Sequence, residues 1–173
     1  MPDDAKQQCL GHIRRMMGED ESSDSKRRAW LETLLRIPFG RYSEVAKKRV
    51  TMAAQIHAAK SRLDGVVHGN RAVKATLQEL VAQAMTSPTG RPPVIGLVGE
   101  PGTGKTTLAR LGIADCLQRP FYQISCGGMM DAASLRGHCY TWEGSMPGAV
   151  VNAVVRSGVL NPVILLDLSL IHI

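Results

Sequence analysis

The sequence predicts an α/β fold in which a parallel sheet is flanked by helices and preceded by an α-helical segment. Three observations carry that expectation. Apolar runs at 94–98, 121–125 and 163–167 have the length of buried strands. Stretches with apolar residues at helical spacing, 105–118 and about 148–157, alternate with those runs. The first run leads through a cluster of glycines straight into the first of these helices.

The elements follow in order along the chain. Residues 1–25 are polar, acid-rich at 18–24, and read as a frayed helix followed by a flexible linker. Trp30, Leu31, Leu34, Leu35 and Ile37 make the apolar side of a short helix, which Pro38 and Gly40 stop. Ser43 is placed to cap a helix from residue 44 to about 63, and Asp64-Gly65 is expected to break it. His68-Gly69-Asn70 leads into another helix over about 71–84. The proline- and glycine-rich stretch 87–93 is a linker into the first strand. These signals divide the chain into a flexible polar segment 1–27, a helical segment 28–86, an α/β core 87–167 and a tail 168–173.

Composition bounds the possibilities. A chain of 173 residues is long enough for one domain plus an appendage, with a core of ordinary size. Hydrophobic content of 44% beside 21% charged residues is that of a soluble globular protein. No apolar run approaches a membrane span, and the charged N-terminus is unlike a secretory signal, so no membrane partner is expected. The formal charge is +6, but Arg14-Arg15, Lys26-Arg27-Arg28 and Lys47-Lys48-Arg49 fall in expected helices. Solvated helix faces account for them, and nucleic acid is not an expected partner. Cys9, Cys116, Cys126 and Cys139 show no Cys-x-x-Cys spacing, which fits a reduced intracellular compartment. His138 and Cys139 adjoin each other without two further ligands at metal spacing, so no zinc site is expected.

The glycine cluster carries the chemistry. Gly99, Glu100, Pro101, Gly102, Thr103, Gly104, Lys105 and Thr106 spell G-x-x-x-x-G-K-[ST], between an apolar strand and a helix. Glycines let the backbone curve around phosphates and aim its N–H groups inward, and the following helix adds a positive dipole end. Lys105 reaches the β- and γ-phosphates in this pattern, and the Thr106 hydroxyl ligands Mg²⁺. With Thr107 beside them, these residues are the candidate contacts to ATP or GTP. The apolar strand 163–167 ends in Asp167, the kind of residue that holds the Mg²⁺ shell opposite such a loop.

A family likeness rests on the residues between these two signals. Ser125-Cys126-Gly127-Gly128-Met129-Met130-Asp131, Leu135-Arg136-Gly137-His138 and Gly144-Ser145-Met146-Pro147-Gly148 together resemble the ATPase module of Lon proteases, within the AAA+ class of phosphate-loop NTPases. Asn161-Pro162 ahead of the Asp167 strand is similar to Lon as well, and the likeness covers about 28–167. Clamp loaders and helicase loaders lack the Arg-Gly-His turn and the Gly-Ser-Met-Pro-Gly loop. The resemblance adds His68 and Gly69 to the nucleotide-contacting set, with His68 at an aromatic position of the family. It implies ATP and Mg²⁺ as cofactors, and a motor working as a homohexameric ring that unfolds proteins for a Ser–Lys peptidase domain. The alternative is a Lon-like remodelling ATPase without peptidase activity. A cytoplasmic protein is implied, or one of an organelle matrix.

Two positions depart from the family. Its channel-facing pair, an aromatic then an aliphatic residue, is matched by Trp142 and Glu143, so charge replaces the aliphatic group. After Asp167 the family has a Glu that orients the attacking water, and here Leu168 stands. Either the module binds ATP without hydrolysing it, or 168–173 is not native sequence; Leu-Ser-Leu-Ile-His-Ile resembles a translated sequencing adapter, which favours the second. On the same resemblance the sheet is expected to be incomplete because the chain is truncated. A later strand, the γ-phosphate sensor, the arginine finger, the helical lid and the peptidase domain are all expected to lie outside it.

Overall fold

A computed structural model describes residues 1–16, 21–43, 52–69, 71–86, 93–129, 131–137 and 146–168. The chain divides into two compact units, Met1–Tyr42 with Tyr122–Ile173, and Ser43–Phe121.

The first unit opens with helix α1 (Asp3–Met16) and helix α2 (Glu21–Arg36). Here the structure differs from the sequence expectation. The helix expected within 1–25 is present as α1, but the helix read from about Trp30 starts at Glu21, inside the stretch read as a linker. Packing explains the difference. Cys9 and Leu31 are buried, and the rings of His12 and Trp30 stack at 4.6 Å with a 45° tilt, so α1 has an apolar partner. Pro38 and Gly40 do end α2, through a turn in which the Arg41 N–H donates to the Pro38 carbonyl at 3.1 Å.

The same unit holds strand β1 (Phe121–Ser125), helix α6 (Ala133–Arg136), helix α7 (Ala149–Ser157) and strand β2 (Val163–Asp167). β1 and β2 pair as a two-stranded parallel sheet. The Cys126 N–H donates to the Asp167 carbonyl at 2.7 Å, so both strands end on the same side. Helix α7 buries Ala153, and Arg156 reaches the Tyr122 hydroxyl of β1 at 3.2 Å. Both strands and α7 lie where the apolar runs put them, as an α/β fold requires.

The second unit is helical. Helix α3 (Met52–Val66) and helix α4 (Arg71–Thr86) pack on helix α5, a continuous run formed by Lys105–Thr107, Leu108–Ala114 and Asp115–Leu117. Its core comprises Ala59, Leu63, Leu77, Val81, Leu108, Ala109, Ile113, Ala114, Cys116 and Leu117. The middle stretch of α5 is π-helical, a wider winding that the sequence did not signal. Gly112 sits in it, where a Cβ would come within 2.9 Å of Leu63 Cδ2, so its bare backbone lets α3 approach. Gln118 ends α5 in the left-handed region with φ of 50°. The Arg119 and Gln118 N–H groups close the end on the Ala114 and Asp115 carbonyls at 3.0 and 3.1 Å.

Two further expectations are corrected in this unit. Asp64-Gly65 does not break α3, which runs on to Val66 and turns at Val67-His68-Gly69. A glycine inside a helix costs only about 1 kcal/mol, and here Lys74 of α4 holds Asp64. Residues 94–98 are not a strand. They have no ladder partner among the described residues, and Val94 and Val98 are exposed; a strand needs a neighbour to pair with. The Ser43 hydroxyl donates to the Gln118 carbonyl at 2.6 Å, and residues 44–51, which it was expected to cap, lie outside the described residues. The linker 87–92 also lies outside them.

Candidate nucleotide-binding site

The loop 99–106 belongs wholly to the helical unit and is built from its own backbone. Gly102 and Gly104 take φ of 80° and 84°, which carries the chain round into α5. The Thr103 hydroxyl donates to the Glu100 carbonyl at 2.8 Å and closes the bend. Lys105 folds back over the loop, its Nζ donating to the Gly99 carbonyl at 2.8 Å and the Glu100 carbonyl at 2.7 Å. An ammonium group has three protons, so a lysine held in this way has one more to give to a phosphate oxygen. Thr106 and Thr107 are exposed at the first turn of α5.

The turn between α3 and α4 comes to this loop. Val67 Cγ2 and Cγ1 lie 3.2 and 3.6 Å from the position of a Cβ on Gly104. His68 and Gly69 follow Val67 in the same turn and are exposed. Val67 itself was missed, because nothing in a sequence reports a contact across 37 positions.

Asp167 lies in the other unit, at the end of β2. Its Oδ2 accepts a hydrogen bond from Gln123 Nε2 of β1 at 2.8 Å. Gln123 was also missed, since only the pairing of the strands brings the two together. Leu168 follows, exposed, and its side chain carries no oxygen with which to orient a water. Asp167 and Thr106 both offer hard oxygen donors, the chemistry that Mg²⁺ prefers. No group of three or more His, Cys, Asp or Glu side chains among the described residues forms a metal cage.

The stretch that separates β1 from α7 is clamped at its base. Gly137 and Pro147 form an antiparallel bridge, and a Cβ on Gly137 would stand 2.7 Å from the Gly148 nitrogen. Two segments of the family-like block, Arg-Gly and Met-Pro-Gly, thus meet backbone to backbone. Trp142 and Glu143, with His138 and Cys139, lie outside the described residues.

Among the described residues, two titrating groups are shifted, both at the far end of α5 from Lys105. Burial pushes the Cys116 thiol up, an effect that Arg62 opposes and Asp115 reinforces. Burial pulls the Arg119 guanidinium down.

The glycine loop, its helix and the strand ending in Asp167 define a class, and comparison with known proteins bears it out. Residues 95–167 match the profile of the ATPase family associated with various cellular activities (AAA). The chain is 39% identical over 161 residues to "Lon protease homolog 2, peroxisomal" of Arabidopsis thaliana, covering 93% of this chain and 17% of that protein. It is 40% identical over 153 residues to the protein of the same name in Zea mays, covering 88% and 16%. It is 33% identical over 170 residues to "Lon protease" of Ureaplasma parvum serovar 3, covering 96% and 20%. The class is that of AAA ATPase modules. Within it the chain belongs to the Lon family, as an AAA+ module. It spans about a fifth or less of the length of these relatives.

Proposed function

We propose that this chain is the ATP-binding AAA+ module of an ATP-dependent Lon-type serine protease. The folded loop 99–106, with Lys105 held over its carbonyls, is the observation that carries the reading. In this reading the N–H groups of Gly102 to Thr106 and the Lys105 ammonium take the phosphates, with Glu100, Pro101 and Thr107 at the rim. Thr106 and Asp167 hold Mg²⁺, which neutralises phosphate charge when bound. His68 and Gly69 meet the rest of the nucleotide. The full-length protein forms a hexameric ring, grips unfolded or damaged protein chains through Trp142 and Glu143, and delivers them to a peptidase. Its place is the cytoplasm or an organelle matrix; the similar proteins of Arabidopsis thaliana and Zea mays are named peroxisomal. No helix among the described residues is long and apolar enough to cross a membrane.

With Leu168 where an acidic residue would orient water, the chain as it stands holds ATP without useful turnover, since such a group contributes about 10² to 10⁴ in rate. The test is calorimetric titration with ATP. Lys105→Met removes the ammonium but keeps most of the stem, and we expect affinity to fall at least about tenfold with an unchanged melting temperature. Equal affinity in the two proteins would overturn the reading, and steady ATP hydrolysis by the chain alone would overturn its second half.

A further inference from the structure

We propose that Lys74 is a positioning residue for the non-phosphate end of the nucleotide, acting through the turn that it clips in place. The proposal deepens the reading of loop 99–106 as a nucleotide site and rests on it.

Lys74 stands in the first turn of α4, and nine-tenths of its side chain is buried. Its Nζ lies 3.3 Å from Asp64 Oδ1 and 3.5 Å from the Asp64 backbone carbonyl. Asp64 is in the last turn of α3, where carbonyls have no partner within the helix and a cation is favoured. One ammonium therefore ties the end of one helix to the start of the next, across the turn of Val67, His68 and Gly69. That turn is the wall placed against Gly104. A nucleotide whose phosphates fill the loop must lay its sugar and base outside it, and His68, an exposed ring next in the chain to Val67, is the side chain of this turn that can meet them.

Burying an ammonium is expensive, and the Asp64 carboxylate is more than half exposed, which weakens the attraction that offsets it. Stability alone is thus a poor reason for a lysine here. A fixed turn is a better one. Lys60, Arg71 and Gln78 line the same cavity of about 360 Å³ beside the pair, so an arginine at 74 has room to reach Asp64.

The experiment compares ATP with inorganic triphosphate, which has the phosphates and no sugar or base. Binding of each is measured by calorimetry for the unaltered chain, Lys74→Met, Lys74→Arg and His68→Ala, with melting temperatures alongside. We expect the unaltered chain to prefer ATP. Lys74→Met weakens ATP about tenfold through lost preorganisation and leaves triphosphate within about twofold, with little change in melting. Lys74→Arg restores ATP binding, and adding Lys74→Met to His68→Ala costs nothing further. Equal weakening of both ligands would make Lys74 structural and overturn the proposal, as would unchanged ATP affinity. Should Lys74→Met fail to fold, the Lys74→Arg and His68→Ala arms decide: an arginine variant that folds but loses the ATP preference, or a His68→Ala that keeps it, counts against the proposal. If the unaltered chain binds both ligands equally, the turn does not meet the nucleotide and the proposal fails while the loop reading stands. If it binds neither, the loop reading fails first.

Discussion

Cys116 shows how much of a residue's chemistry is set by what surrounds it. The thiol is buried in the α3–α5 interface and points to the Ala59 carbonyl at 3.7 Å. Water is excluded, so the charged thiolate is disfavoured and the pKa rises above the ordinary 9.0. In the unfolded chain the same thiol ionises near its ordinary value. Above about pH 9 the folded state therefore holds more protons than the unfolded state, and stability falls as pH climbs. Below that value the contribution is fully present. We expect a melting temperature that declines from about pH 9 upward, and a Cys116→Ala variant whose decline is shallower over the same range. Iodoacetamide should modify half-buried Cys126 well before Cys116. Equal modification rates, followed by peptide mass spectrometry, would show that the thiol is not where the packing puts it.

At the scale of elements, the clamp at Gly137 and Gly148 leaves no room for a side chain. A side chain on Gly148 would overlap the Leu135 carbonyl and the backbone of Arg136 and Gly137, and backbone cannot swing aside as a side chain can. Gly148→Ala should cost about 3 kcal/mol, read as a lower denaturant midpoint with an unchanged slope. An alanine variant as stable as the parent would mean the two segments do not touch. The glycines were legible in the sequence, but the contact between them was not. The same division runs through the molecule. Strands 121–125 and 163–167 and the helix near 149 were legible because period and apolar runs are local properties. The bend of loop 99–106 was legible for a related reason: its eight residues are contiguous, and the bend is closed by their own hydrogen bonds. What failed depended on distant partners. Asp64-Gly65 carries a breaker's sequence, yet Lys74, ten residues on, holds it in helix. Gln123 meets Asp167 only because two strands pair. The π-helical turn of α5 has no sequence mark beyond a glycine facing Leu63.

At the scale of the whole chain, the segment leading into the phosphate loop is the feature with the largest consequence. Val94 and Val98 are fully exposed there, on a backbone whose N–H and C=O groups make no ladder among the described residues. The two-stranded sheet in the other unit has edges of its own. An exposed apolar segment with no ladder partner can take another strand, and in solution the nearest supply is a second copy of the same chain. The net charge of +6 opposes association, but charges farther apart than about 10 Å are screened at ordinary ionic strength. Burial of valine at short range should win. We expect the chain alone to associate as its concentration rises, and more so as salt is added, by light scattering. Replacing both Val94 and Val98 with Lys should suppress this, because the apolar template is lost and like charges meet at contact. Extra charge by itself is a competing cause, and placing two lysines at exposed Thr76 and Gln83 of α4 gives the same net charge elsewhere. If that control suppresses association equally, general charge is responsible and the segment 94–98 is not the contact. If only the 94/98 pair does so, the segment before the phosphate loop is where this chain takes a neighbouring strand.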